Sequence, residues 1–237
     1  MADNEKVNKI IPSKLEKAVY GILYKTIGEH IPEWVTPNQV TAIGALSGLM
    51  GIVFAFLARF NLLFLIGTCI GITGHLVADD LDGFVARKRN MTSKAGAYFD
   101  LLTDILHITF LIIAMAFTGV MRFELAILMA PVYALIIFTS MNSILYLKEF
   151  PFPHLGPIET HMFFIAVCIV TMIWGTRQRV SVLGIGFNIA DLIFIVGIIP
   201  MYFEMIRLQI KLFCDLSKKD KAERADKEAA EAAKEEA

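Results

Sequence analysis

Four aspartates, Asp79, Asp82, Asp100 and Asp104, stand in one run from Ala78 to His107, with long apolar segments on both sides. An acid inside an apolar helix is costly, so its default reading is function rather than packing. On one helix Asp79, Asp82, Gly83 and Ala86 recur at i, i+3, i+4, i+7 and share a face. On the next, Gly96, Asp100 and Asp104 recur at i, i+4, i+8, with Thr103 and His107 on the same side. The short loop between them makes the helices antiparallel neighbours, so two carboxylates from each can meet across one gap. Four such groups cannot stay ionised together without cations. Hard divalent ions with oxygen ligands remove the repulsion; Mg²⁺, Mn²⁺ or Ca²⁺ fit, whereas zinc prefers nitrogen or sulfur. Gly83, Ala86 and Gly96 leave room beside the metal, and Arg87 and Lys88 put positive charge at the mouth. That combination suits a phosphate-bearing ligand. The metal would neutralise the phosphates, and a free carboxylate would take a proton from an attacking hydroxyl.

The elements that must hold these groups are membrane helices. The chain has 237 residues and is 56% hydrophobic, with mean hydropathy +0.61. Its apolar residues come in long runs, as in a polytopic helical membrane protein. Six spans are expected at about 38–58, 62–87, 94–119, 123–147, 157–176 and 183–212. The expected fold is therefore an all-α membrane protein of six transmembrane helices after an interfacial amphipathic helix. Its parts are an N-terminal segment 1–34, a membrane domain 35–213 and a charged tail 214–237. In residues 12–34, Leu15, Val19, Ile22 and Leu23 line one helical face, with Lys14, Lys17 and Lys25 largely off it, which suits the membrane surface.

Thr36 is a natural N-cap and Pro37 a natural first residue for the first span. Asn38 and Thr41 follow one turn apart at the membrane edge. Gly44, Gly48 and Gly51, and Gly67, Gly71 and Gly74, permit close helix approach, within a subunit or between the two of a homodimer. The N-terminal segment, the 87–94 loop and the end after Arg207 and Lys211 are basic and share one side, expected to be the cytoplasm. Arg59, Arg122, Arg177 and Arg179 lie on the other side. The polar N-terminus carries no signal-peptide core, so the internal segments direct insertion. Cys69, Cys168 and Cys214 form no ligand pattern and read as packing residues. The tail from Ser217 can bury nothing and reads as a solvated helix or disorder. Net charge is −1; the total carries no sign of nucleic acid, and none is expected as a partner.

The spacing D-x2-D-G-x2-A-R-x8-G-x3-D-x3-D is met at every fixed position by Asp79, Asp82, Gly83, Ala86, Arg87, Gly96, Asp100 and Asp104. This resembles the signature of the CDP-alcohol phosphotransferase family. The upstream P-N-x2-T-x2-G, with Pro37, Asn38, Thr41 and Gly44, is similar to that family's first membrane helix. The resemblance is sharp over residues 35–107 and general beyond them. It implies an enzyme that cleaves a CDP-linked substrate at its pyrophosphate, releases CMP and passes the phospho-group to a hydroxyl, forming a phospholipid. It implies Asp79, Asp82, Asp100 and Asp104 as ligands of two divalent ions, Mg²⁺ or Mn²⁺. Asp104 is then a ligand or the catalytic base. The nucleotide pocket would comprise Asn38, Thr41, Gly83, Ala86, Arg87 and Gly96, with Arg87 on phosphate or anchoring the helix end. Asp80 falls off the shared face and reads as a supporting or helix-end residue. His75 and His107 read as orienting a carboxylate or as hydrogen-bonded core residues.

Two substrate arrangements remain. In one, a small CDP-alcohol such as CDP-choline or CDP-ethanolamine is attacked by diacylglycerol. In the other, CDP-diacylglycerol is attacked by a polar alcohol such as inositol, inositol phosphate, serine or glycerol phosphate. Ile105 after Asp104, the run Arg87, Lys88, Arg89 and Asn90, and the stretch Gly156 to His161 resemble the first type. Leu101, where that type typically has His, and the chain's shortness against its eukaryotic members point away from it. The first arrangement is the expectation, with Glu159 and His161 as candidate substrate residues. A membrane prenyltransferase would show two Asp motifs far apart, and the distant membrane acid of note is Asp191. A cation-coupled transporter would show interrupted helices or a repeated half, and the Asp pattern has no second copy.

Overall fold

A computed structural model describes residues 8–10, 14–151, 156–178, 180–182 and 184–235. The first residues of the polar N-terminus, Arg179 and the last two residues of the tail lie outside them, as do the side chains of Lys14 and Leu15. Helix α1, Lys14–Thr26, precedes α2, Pro37–Leu57, α3, Leu65–Lys88, α4, Lys94–Phe117, α5, Phe123–Leu147, α6, Pro157–Trp174, and α7, Ile189–Glu235. The fold is all-α. Among the described residues six helices, α2 to α7, are long and apolar enough to cross a membrane, and the chain is a multi-pass integral membrane protein. Leu46, Val53, Ile70, Ile199 and Phe203 point outward, as side chains facing lipid do, while Thr68, His75, Ser140 and Asp104 are turned in.

The helix starts follow local chemistry. The Thr36 hydroxyl accepts the Gln39 N–H and the Gln39 side chain accepts the Thr36 N–H, a closed capping box with Pro37 at the first position. The Ser93 hydroxyl accepts the Gly96 N–H at 2.9 Å and starts α4. Between them, Asn90 takes the left-handed backbone, φ 54°, that turns the chain from α3 into α4. Arg89 then ties this turn to the linker before α2: its guanidinium donates to the carbonyls of Ile31 at 3.0 Å, Pro32 at 2.9 Å, Glu33 at 3.2 Å and Val35.

The glycines settle one open alternative. A Cβ on Gly71 would stand 2.5 Å from the Gly51 amide nitrogen. The two stripes therefore bring α2 against α3 within one chain, and they carry no argument for a homodimer. The largest apolar core joins Ile52, Leu65, Ile72, Leu111, Ile112, Met115, Phe164 and Phe194. Its α3 members come from the early part of that helix and its α4 members from the later part, with Ile52, Phe164 and Phe194 added from α2, α6 and α7, so the core fills the end of the α3–α4 pair away from the carboxylates.

Three expectations shift. The sixth span begins at Ile189 rather than 183, because β3, Val180–Val182, and β4, Ile185–Phe187, form an antiparallel hairpin turned at Gly184, φ 81°. Another strand pair, β1, Asn8–Ile10, and β2, Glu149–Pro151, is parallel. The 47-residue α7 runs unbroken past 213. At 1.5 Å per residue it is about 70 Å long, more than twice a hydrocarbon core. Its charged second half is therefore solvated helix. Cys168 is buried and Cys69 half-buried, but Cys214 is exposed and packs nothing.

Candidate metal and nucleotide site

The two faces of α3 and α4 meet. Carboxylate oxygens of Asp79, Asp100 and Asp104 lie within 4.8 Å of one another. Asp82 adjoins Asp100, and its carboxylate accepts the Thr41 hydroxyl of α2. All four border a cavity of about 160 Å³. Asp82 and Asp104 are buried, and the inner oxygen Oδ1 of Asp100 has no hydrogen-bond donor. Converging carboxylate oxygens with spare lone pairs are the ligand set of a hard divalent cation. Mg²⁺ or Mn²⁺ therefore fits here.

A second cavity of about 220 Å³ shares Asp82, Gly83, Arg87 and Asp100 with the first. Its other walls include Asn38, Thr41, Ala86 and Gly96. Every residue expected for the nucleotide pocket is in this one hollow between α2, α3 and α4. Gly83 and Gly96 keep it open: a Cβ on Gly96 would come within 3.3 Å of the Asn38 side-chain oxygen. Arg87 folds back over Gly83, so its guanidinium borders both cavities.

Sequence reasoning missed the lid. Tyr20 and Tyr24 of α1 line the carboxylate cavity. Tyr24 stacks on Phe84 of α3 with ring centroids 4.4 Å apart and accepts an N–H from Arg87 at 3.3 Å. Burial raises the pKa of its phenol above the ordinary value, opposed by the Arg87 charge, so it stays a neutral hydroxyl. The amphipathic pattern found α1; an aromatic pair one turn apart was the available signal for its contact. From α5 and α6, Tyr133, Ser140 and Thr160 also reach the cavity.

Other residues take different places from those read in the sequence. Asp80 does not point away: it is buried and borders the same cavity near Tyr24. His75 holds Asp104, Nε2 to Oδ1 3.2 Å, whereas Nε2 of His107 makes no hydrogen bond. His161 is buried beside those two rings and does not line either cavity. Glu159 accepts the Gly156 N–H at 3.1 Å, closing the start of α6, and borders a separate apolar pocket of about 550 Å³ between α6 and α7. Asp191 accepts N–H groups of Arg122 at 2.7 Å and Asn188 at 2.9 Å and so fastens the start of α7. A further buried acid, Glu204, is bonded to Arg207 at 2.9 Å.

The family model for CDP-alcohol phosphatidyltransferase matches residues 34–208. Two curated relatives are the CDP-diacylglycerol--serine O-phosphatidyltransferases of Helicobacter pylori strains ATCC 700392 / 26695 and J99 / ATCC 700824. They are 37% identical over 75 residues and 38% identical over 74. The matched stretches cover 32% and 31% of this chain but only 30% and 29% of those relatives' lengths.

Proposed function

From the premise that the chain belongs to the CDP-alcohol phosphatidyltransferase family, we propose that it moves a phosphatidyl group from CDP-diacylglycerol to a small polar alcohol, serine foremost, and releases CMP. The observation that carries this choice is the similarity to two CDP-diacylglycerol--serine O-phosphatidyltransferases. It favours the lipid-borne CDP over the choline or ethanolamine arrangement that Ile105 and the Gly156 to His161 stretch suggested.

The row of cavities supports the same reading. Asn38, Thr41, Gly83, Ala86 and Gly96 would receive the cytidine nucleotide, and Arg87 would meet a phosphate oxygen. Asp79, Asp82, Asp100 and Asp104 would hold two divalent ions, which when bound neutralise the linked phosphates. The apolar pocket between α6 and α7 shares Thr160 and Met201 with the carboxylate cavity, so acyl chains could continue from the phosphates into it. Asp104 would accept the hydroxyl proton of the alcohol. The alcohol oxygen then bonds to the phosphorus bearing diacylglycerol, the phosphoanhydride bond breaks, and CMP leaves with its electron pair. His75, on Asp104, would keep that carboxylate aimed at the alcohol. Glu159 could border the lipid, while the place of His161 gives it no contact with substrate. The basic ends support a cytoplasmic position for this site.

A paired label assay tests the choice. Labelled serine with CDP-diacylglycerol should enter lipid, while labelled CDP-choline with diacylglycerol should not. Lipid label from CDP-choline alone would reverse the assignment; lipid label from inositol or glycerol phosphate but not serine would correct the acceptor.

A further inference from the structure

Directly inward of Asp104 lies a second cluster, of which the proposed reaction uses only His75, and that only to position Asp104. His75 of α3, His107 of α4 and His161 of α6 each place a ring nitrogen within 4.8 Å of the others. Their exposures are 2%, 4% and 1%. Buried polar atoms nearly always have partners, yet Nε2 of His107 and Nε2 of His161 have none; the other side of the His107 ring meets the Gly48 backbone. The other nitrogens are committed in a telling way. His75 Nδ1 lies 3.1 Å from the Gly44 carbonyl and His161 Nδ1 lies 2.7 Å from the Pro157 carbonyl. A carbonyl only accepts, so each Nδ1 carries a proton, and Nε2 is the nitrogen left to take a cation once it is deprotonated. On His75, Nε2 faces Asp104 Oδ1 at 3.2 Å, close enough for one cation to take both as ligands in place of the proton.

An imidazole whose Nδ1–H is held by a backbone carbonyl and whose Nε2 is bare is the usual state of a metal-binding histidine. Three from three helices, with a carboxylate 3.2 Å from one of them, make a nitrogen-rich set of four donors, of the kind zinc selects and magnesium does not. At zinc–nitrogen distances of about 2.0–2.1 Å, closing the triangle moves each ring by less than about 1 Å. Space for His107 is kept by Gly48, where a Cβ would lie 2.5 Å from His107 Nδ1.

We propose that His75, His107 and His161, with Asp104 as fourth ligand, form a binding site for a transition-metal ion of the zinc class, distinct from the oxygen-ligand site above it. The two sites share Asp104, so an ion in the lower one draws on a carboxylate that the upper one needs.

Co²⁺, which reports zinc sites by its visible absorption, is the probe. The full-length protein in detergent, stripped with chelator and kept in excess Mg²⁺ to fill the carboxylate site, should bind one Co²⁺ per chain with the intense bands of a tetrahedral ion. Zn²⁺ should displace it. His107→Ala/His161→Ala should weaken binding by at least about 100-fold, since losing even supporting partners of a ligand costs 10–100-fold. Asp100→Asn, which touches only the upper site, should keep the bands. X-ray absorption of the Zn²⁺-loaded wild type should count imidazole nitrogens, a readout that needs no variant to fold. Absence of tight Co²⁺ in the wild type would mean that protons or water satisfy the rings. Bands lost in Asp100→Asn but kept in the histidine variant would put the ion among the carboxylates. An X-ray spectrum without imidazole would overturn the proposal as well.

Discussion

Asp104→Asn is expected to lower CMP release by about 10³-fold or more while the protein keeps its fold. The side chain stays the same size, so packing against α2 and α3 is unchanged. What changes is charge and proton affinity. An amide cannot take the hydroxyl proton, and removing a positioned base costs about 10²–10⁴-fold. It also offers a weaker ligand, one neutral oxygen in place of an anion, to a site whose metal lowers the barrier by several kcal/mol. Asp104 is the buried member of the converging trio and the one held by His75 at 3.2 Å. Steady-state CMP release, with thermal unfolding in detergent as control, checks both halves. Normal turnover in a folded variant would remove Asp104 from both roles.

The second large effect is chelation. EDTA should reduce activity to background, and Mg²⁺ or Mn²⁺ should restore it. The reason is electrostatic: with the ions gone, four carboxylates around about 160 Å³ repel each other and a pyrophosphate alike. Calcium should bind without full recovery, since it is larger and looser in its geometry than Mg²⁺. Full activity in chelator would leave the carboxylate cluster without its cation role.

How much of this could be read from the chain divides by range. The face shared by Asp79 and Asp82, and that shared by Asp100 and Asp104, follow from helical period alone. A five-residue turn, Arg89 to Ser93, forces the two faces together. The cap at Thr36 and Pro37 is equally local. What escaped depends on contacts between distant segments. Tyr20 and Tyr24 reach the cavity only because α1 folds back onto α3. Asp80 looked idle on its own helix because the α1 wall that it faces comes from elsewhere. His161 sat beside Glu159 near the start of a helix and read as a substrate group; its ring turns inward to two histidines instead. The glycine stripes announced a close approach but not its partner, since Gly51 fits a neighbouring chain as well as Gly71 until the packing is known. The late start of α7 reflects a hairpin whose second strand, Ile185–Phe187, looked like more membrane helix.

The central claim is that divalent ions collected by Asp79, Asp82, Asp100 and Asp104 hold the diphosphate of a CDP-linked substrate. Titration calorimetry of CDP into the purified protein tests it most directly. Binding should be measurable in Mg²⁺, vanish in EDTA, and vanish again in Asp79→Asn with Mg²⁺ present. CDP binding of equal strength in Mg²⁺ and in EDTA would contradict it.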